Sequence, residues 1–416
     1  MARASHRKTL VTDVAIIGGG FAGCTLAALL GANGLDVACI DRDDPKATLH
    51  KGFDGRTTAI SFGSQRVIGA AGAWDAVKNN ACPIKDIKIS DNASPTLLEF
   101  LVEDVHESAF GWIVENRHLR ASLYARLAQI PNVRHIAPKG VLSFTVEPDH
   151  TVVHLDDGTE IRARLIVGAD GRNSFTREQM GIGTRGWSYR QRGLVCVATH
   201  ENPHNNVAIE DFRGEGPFAI LPMNDDENGR HRSSIVWTEH CAEKDSAVHW
   251  DEQSFTVALN ERFPAFYGKV AVSGKRFSYP LTLIHAHSYI APRCALVADA
   301  AHGIHPIAGQ GLNMGLRDIA ALAELLINAK KSGADIGSDE LLQNYQRSRR
   351  FDNMAMAAAT DALNRLFSND FLPLRALRKI GLLAVQRLAP ARRLFMKQAM
   401  GSSGHLPALI RNGKFD

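Results

Sequence analysis

The segment from Thr12 to Asp41, VTDVAIIGGGFAGCTLAALLGANGLDVACID read from Val11, constrains the chain more than any other stretch. A short apolar run (Val14–Ile17) leads into Gly18-x-Gly20-x-x-Gly23, then CTLAALLGANG with helical length, then a second apolar run ending at Asp41. Buried parallel strands give such near-continuous apolar runs, and a helix between them makes a β-α-β unit. In this turn the first glycine permits the tight bend, the second lets a pyrophosphate approach the backbone, and the third packs helix on strand. Phe21 and Ala22 open the helix, whose unpaired N–H groups face the phosphates. Asp41 lies 18 residues past Gly23, placed to accept a ribose hydroxyl, with Arg42 beside it. This unit alone does not separate NAD from FAD. No second G-x-G-x-x-G follows a strand, since GEG at 214–216 lacks the third glycine. One dinucleotide therefore has a dedicated cradle, and any nicotinamide cofactor visits transiently.

The same segment carries no charge from Val14 to Leu35, after Arg3, Arg7 and Lys8, which resembles a signal peptide or anchor. Asp13 abuts it and six glycines interrupt it, so strand, turn and buried helix explain it better. The six cysteines are scattered without a C-x-x-C pair, which argues against a disulfide scaffold or zinc ribbon and suits a reducing compartment. Histidines 285, 287 and 305 show no metal-ligand spacing, so no metal is expected. At 416 residues the chain is long enough for two or three domains. Net charge is +4, yet Phe371–Asp416 holds nine Lys/Arg against one acid. A basic tail on a slightly acidic body points to a local anionic partner and not to a nucleic-acid surface.

Further along, ENRHLRASLYARLAQI (115–130) reads as a helix with Leu119, Leu123, Leu127 and Ile130 on one stripe. Strands are expected at Val141–Val146, Thr151–Leu155 and Ile161–Val167, and an alternating series over 189–238 reads as a mixed or antiparallel sheet. A helix near Glu252–Phe263, strands around Arg276–Leu283 and Ala295–Val297, and an almost wholly helical stretch from Gly311 to about Met400 complete the pattern.

Two later segments carry chemistry. LIVGADGRNSFTRE (165–178) is a strand, an Asp170-Gly171 turn and a helix start; taken alone, Asp170 is equally a helix-end carboxylate. In ALVADAAHGIHPIAGQGLNMGL (295–316) a strand delivers Asp299, Pro306 stiffens a loop, and Gly309-Gln310-Gly311 admits close approach before a long helix. That helix start favours negative charge.

Together GGGFAG, ADGRNSFTR and the Asp299–His302–Pro306–Gly309–Gly311–Asn313 spacing resemble the FAD-dependent aromatic hydroxylases of the p-hydroxybenzoate hydroxylase fold. GRTTAIS (55–61), VENRHLRASL (114–123), GPFAILPM (216–223) and SSIVW (233–237) are similar to the ubiquinone-biosynthesis hydroxylases, the UbiH/UbiF/VisC group. The resemblance implies an α/β fold: a Rossmann-like FAD-binding domain (1–80, 104–183, 284–330), an inserted mixed β-sheet substrate domain (81–103, 184–283) and a helical C-terminal region with a basic tail (331–416). It implies that Gly18, Gly20 and Gly23 hold the FAD pyrophosphate and Asp41 the adenosine ribose. Arg56 and Arg117 fall where the family faces the flavin phosphates or ribityl chain, though each also reads as a surface arginine. Val141 falls where backbone packs on adenine, Asp170 belongs to the motif for the pyrophosphates, Asp299 bonds the ribityl chain, and Gly311, Leu312 and Asn313 line the isoalloxazine. The family has Gly before this acid; here it is Ala298. His302 reads as a structural hydrogen-bonder or an acid–base group.

The implied activity is FAD-dependent monooxygenation of a polyprenylated phenol through a flavin C4a-hydroperoxide, with O2 as co-substrate and NAD(P)H or another reductant. No catalytic residue is nominated. Phe218, Ile220, Leu221, Met223 and Trp237 either wall the substrate side or are plain core. Leu374, Leu377, Leu382, Leu383, Leu388, Leu394 and Phe395 among cations read as a membrane-surface helix or as helices packed on the body. The expected setting is cytoplasmic, peripheral on the inner face of the membrane, with a quinone-biosynthesis multi-enzyme complex as partner. A hydroxylase of a soluble aromatic, or a catalytically idle flavoprotein scaffold, are the alternatives.

Overall fold

The computed structural model describes residues 9–49, 55–91, 98–305, 309–367, 381–404 and 406–415. Its first layer is a sheet whose five parallel strands run in the order Cys294–Leu296, Glu160–Gly168, Thr9–Ile17, Val37–Ile40, Val133–Ile136. Val14, Ala15 and Ile16 are fully buried, as strands covered on both faces must be. The helix Phe21–Ala32 is buried almost all round, from Ala22 to Gly31, so the uncharged run is explained by core and not by lipid. Among the described residues no helix is long and apolar enough to cross a membrane. On the outer edge of Glu160–Gly168, an antiparallel hairpin (Val141–Val146 and Thr151–Leu155) occupies the first half and Cys294–Leu296 the second.

The second large sheet has eight strands in the order His302–Gly303, Val270–Ala286, Thr184–His200, His231–Glu239, Gly216–Met223, Val207–Arg213, Asp86–Asp91, Leu98–Leu101. Only Val207–Arg213 and Asp86–Asp91 pair in parallel, so the sheet is mixed. Its backbone is the pair of 17-residue strands Thr184–His200 and Val270–Ala286; the second is far longer than the Arg276–Leu283 expectation because pairing resumes on the far side of a bulge at Gly274 (φ +79°), where the register shifts. One face is covered by the helix Glu252–Arg262, opened by Asp251, whose Oδ1 accepts from Ser254 N at 2.9 Å. A small sheet of Thr57–Ser61, Gly111–Glu115 and Ala81–Ile84 lies between the two in sequence.

The stretch expected to be nearly all helix breaks at Gly333 (φ +73°), which ends Gln310–Ser332 before Asp339–Phe367 begins. The helix Ala389–Ala399 follows residues 381–387, also helical, and docks through buried Met396 and Met400. Leu383, Leu388, Leu394 and Phe395 stay exposed, so one face of the tail packs on the body and the other faces outward. Leu374 and Leu377 lie outside the described residues.

Candidate cofactor and substrate site

Parallel strands end on one edge, and there the sequence placed its glycines and acids. Val37–Ile40 delivers Asp41, Thr9–Ile17 delivers Gly18, Glu160–Gly168 delivers Asp170, and Cys294–Leu296 delivers Asp299. Backbone bonds lock this edge: Gly18 N to Ile40 O (2.8 Å), Ala169 N to Ile17 O (2.8 Å), Val297 N to Gly168 O (3.0 Å). With strands about 4.8 Å apart, the row spans about 15 Å, the reach of an extended dinucleotide.

The cradle admits such a ligand by geometry. A side chain on Gly18 (φ +107°) would collide with the Ala169 carbonyl, and one on Gly23 with the Gly18 carbonyl. Gly20 and Gly311 face open space instead. Gly20 caps the helix Phe21–Ala32 without a side-chain bond, leaving its first N–H groups for phosphate. Ala22 is buried beneath, and Phe21 carries Arg120 over its ring at 5.6 Å.

Asp41 is fixed by Gly19 N at 2.9 Å, and its other oxygen accepts from Asp43 N at 3.0 Å. Lys139 N donates to Asp41 O at 2.7 Å, bringing the chain just before Val141 to the same corner. Arg42 is exposed beside it. Asp170 accepts from Ser174 Oγ (2.5 Å), Thr176 N (2.9 Å) and Thr176 Oγ1 (3.0 Å), so its carboxylate shapes the turn that abuts Gly18. Arg172 of the same motif, not assigned from sequence, reaches Asp299 Oδ2 at 3.4 Å and joins the second motif to the third.

At the far end Gly309 (φ +61°) caps Gln310–Ser332. Asn313 is buried and points back from that helix: Oδ1 accepts from Ser61 N (2.9 Å), and Nδ2 donates to Gly309 O (2.9 Å) and Ala59 O (3.1 Å). It therefore clamps the helix start to GRTTAIS, with half-buried Leu312 and open Gly311 beside it. Pro306 lies outside the described residues.

The two arginines resolve differently. Arg56 sits over the Phe277 ring at 5.9 Å, between the cradle and the second sheet. Arg117 donates to Glu115 Oε2 at 2.7 Å, and buried Glu115 also meets Arg232 at 3.0 Å, tying strand Gly111–Glu115 to the second sheet.

Beneath Asp299 lies a network that sequence reasoning missed. Buried Asp318 Oδ2 accepts from His302 Nε2 (2.5 Å) and Ala298 N (3.1 Å); Oδ1 accepts from Asn353 Nδ2 (2.9 Å) and Arg349 Nε (3.0 Å). Burial pushes the Asp318 carboxyl up, but His302, Arg349 and Asn353 outweigh it and hold it at about 2. His302 is thus a structural partner. Nothing in a single sequence separates a charged residue buried on a long helix from one on its wet face.

Of the two readings of the apolar strand residues, plain core holds for three. Phe218, Ile220 and Trp237 face the helix Glu252–Arg262 and pack with Phe255 and Leu259, whereas Leu221 and Met223 lie on the opposite face. Alternation decides this, since neighbours along a strand point to opposite sides. Among the described residues, Cys24, Cys39 and His135 are the one cluster with metal-ligand proximity.

This edge, its two glycine-opened helices and the half-open sheet beside them define a flavoprotein of the FAD-dependent hydroxylase class. Residues 11–360 match the FAD binding domain family model, and the chain belongs to that family. It is 44% identical over 392 residues to the ubiquinone hydroxylase UbiL of Rhodospirillum rubrum (94% of this chain, 90% of that one). It is 33% identical over 392 residues to the 3-demethoxyubiquinol 3-hydroxylase of Escherichia coli (94% and 98%). The fold is shared with the p-nitrophenol 4-monooxygenase PnpA of Pseudomonas putida (TM-score 0.79, 18% identity, 96% and 100% covered).

Proposed function

We propose that this protein is an FAD-dependent monooxygenase that hydroxylates the aromatic ring of a polyprenylated phenol in ubiquinone biosynthesis. The observation that carries it is the row Asp41, Gly18, Asp170, Asp299 on one sheet edge, running toward the apolar face of the second sheet. Relatives at 44% and 33% identity are named for ubiquinone hydroxylation.

In this reading the helix start at Phe21 and the glycines 18, 20 and 23 hold the FAD pyrophosphate, Asp41 the ribose, and the segment at Val141 the adenine. Arg56 and Arg172 offer charge toward the phosphates, and Asp299 accepts from the ribityl chain. Gly311, Leu312 and Asn313 border the isoalloxazine, and the helix dipole at Gly311 favours negative charge on the reduced ring by about 1 kcal/mol. Bound FAD supplies the oxygen-activating chemistry, drawing electrons from NAD(P)H or another reductant. The protein's own share is to orient the phenol, exclude water and manage its proton. The cofactor domain is assigned to 1–80, 104–183 and 284–330, and the substrate domain to 81–103 and 184–283. Ala81–Ile84 is the strand that pairs with the cofactor side.

The outward row Leu383, Leu388, Leu394, Phe395, interleaved with exposed Arg387, Arg393 and Lys397, supports docking on an anionic membrane surface, where so lipophilic a substrate resides. Other enzymes acting on the same lipid would assemble there. The deciding experiment is mass spectrometry of quinone precursors in a deletion strain. A precursor lacking one ring oxygen should accumulate; an unchanged quinone profile overturns the reading.

A further inference from the structure

The face of the second sheet turned away from the helix Glu252–Arg262 is built from cross-strand rows. Phe277, Val195, Val236, Ala219, Glu210 and Ile89 are successive partners in one of them. The next row along contains Ser234 and Leu221. This face meets the cofactor side directly: Ser234 Oγ and Thr57 Oγ1 are 2.7 Å apart, and Arg56 lies over Phe277. The opposite face is sealed, with Leu194, Cys196, Ile235 and Phe218 at 1% exposure or less. Val195, Val236, Leu221, Phe277 and Ile89 are instead partly open, although apolar. An apolar surface left half-open inside a protein lines a cleft for an apolar ligand.

Glu210 is the one carboxylate in that row. Its side chain has no hydrogen bond or ion pair among the described residues. Its neighbour Asp211 points to the other face, bonded by Ser90 Oγ at 2.6 Å and Arg213 Nε at 2.7 Å. Asp91, buried, lies on the Glu210 side of the strand Asp86–Asp91, opposite Phe212, itself stacked on Phe367 at 3.9 Å. Glu210 itself keeps part of its surface open, so it is an unpaired carboxylate facing that cleft and not one sealed into the core.

We propose that Glu210 is a catalytic residue, the acceptor of the phenolic proton when the ring is hydroxylated. Resting on the functional reading above, the step is a proton transfer. The phenol O–H bond breaks, a carboxyl O–H bond forms on Glu210, and the electron pair stays on the ring oxygen. That makes the ortho and para carbons nucleophilic toward oxygen. As the hydroxylated ring regains aromaticity, its carbon loses H⁺ to water and Glu210 returns its own proton to the ring oxygen. Burial, with a smaller push from Asp211, raises the Glu210 carboxyl to about 7, where it both takes and gives a proton.

The test compares the FAD-loaded wild type with Glu210→Gln and Glu210→Asp, using 2-geranylphenol and a ring-difluorinated 2-geranylphenol whose hydroxyl ionises far more readily. Product carrying one added oxygen and released hydrogen peroxide are both measured, with NADH and O2 supplied. For 2-geranylphenol, Glu210→Gln should lose about 100-fold or more in product while still forming peroxide. For the difluorinated phenol the loss should be under about tenfold, because the substrate no longer needs the base. Glu210→Asp should fall between, and serves alone if the Gln variant does not fold. Equal losses for both phenols, or none, overturn the role of Glu210. A wild type that oxygenates neither phenol in vitro, with precursors unchanged in the deletion strain, overturns the functional reading instead.

Discussion

The methyl of Ala298 occupies the space that a side chain on Gly315 would fill: a Cβ there would lie 2.5 Å from it. Ala298 adopts φ +53°, the left-handed region that glycine enters freely and alanine does not. The chain thus carries strain at the residue before Asp299, accommodated by a glycine one helix away. Ala298→Gly should raise stability by about 0.5–1 kcal/mol, relief of strain outweighing the freer unfolded chain. Gly315→Ala alone should destabilise, and the double variant should recover part of that loss. Thermal melts of the four proteins form the cycle that checks it; additive effects would disprove the contact.

Asp318→Asn tests whether the network under the flavin turn is structural. Breaking one member takes the buried carboxylate away from His302 and leaves Arg349 with Asp352 as its one acidic partner, for about 3–5 kcal/mol. The loop bearing Asp299 should loosen with it, since Asp318 also holds Ala298 N. A lower melting temperature together with weaker FAD retention is expected. Unchanged melting would refute the network's weight.

The parallel unit around Gly18 was legible because glycine spacing and apolar runs report backbone geometry directly. The placement of Asp299 after a strand and of Asn313 at a helix start was legible through their loop motif. Asp318, Arg349 and Arg172 were not, because their partners lie far along the chain and no local period marks them. The faces of Phe218 and Leu221 were illegible for a related reason. Gly216–Met223 is apolar on both sides, so alternation gives no sign of which side meets the helix Glu252–Arg262. Glu210 stayed hidden in NVAIEDF, where two adjacent acids look alike until register sends them to opposite faces.

Acid should destabilise the fold in a defined window. Burial lowers His285 to about 4, with His302 adding to it, and burial lowers His305 to about 4. Both are neutral in the fold where the unfolded chain, with ordinary histidines near 6.5, already binds protons. Stability from this source is full above pH 6.5 and lost as pH falls toward 4, on the order of a few kcal/mol in total. Melting temperatures from pH 8 to pH 5 should drop below pH 6.5, and replacing His305 by Gln should flatten that drop. A pH-independent melt would contradict the burial of these rings.

Asp299→Ala should yield protein that loses its yellow colour on purification, because the carboxylate proposed to meet the ribityl chain and its link to Arg172 vanish together. Full flavin occupancy would remove Asp299 from the site.

The proposed membrane docking is the property least tied to the cofactor and so the cleanest to separate. Leu394 is 62% and Phe395 45% exposed on a helix whose opposite side is anchored by Met396. Replacing both by serine removes apolar surface without touching the core, so folding and flavin content should stay as they are. Burial of a Leu and a Phe in the interface contributes about 1.5–3 kcal/mol each, so the pair should lower partitioning onto anionic vesicles at least tenfold. Raising salt should weaken what remains, because Arg387, Arg393 and Lys397 act through screened charge. Cosedimentation that is equal for both proteins would leave these side chains without a lipid role, and the row would then have to be explained by a protein partner.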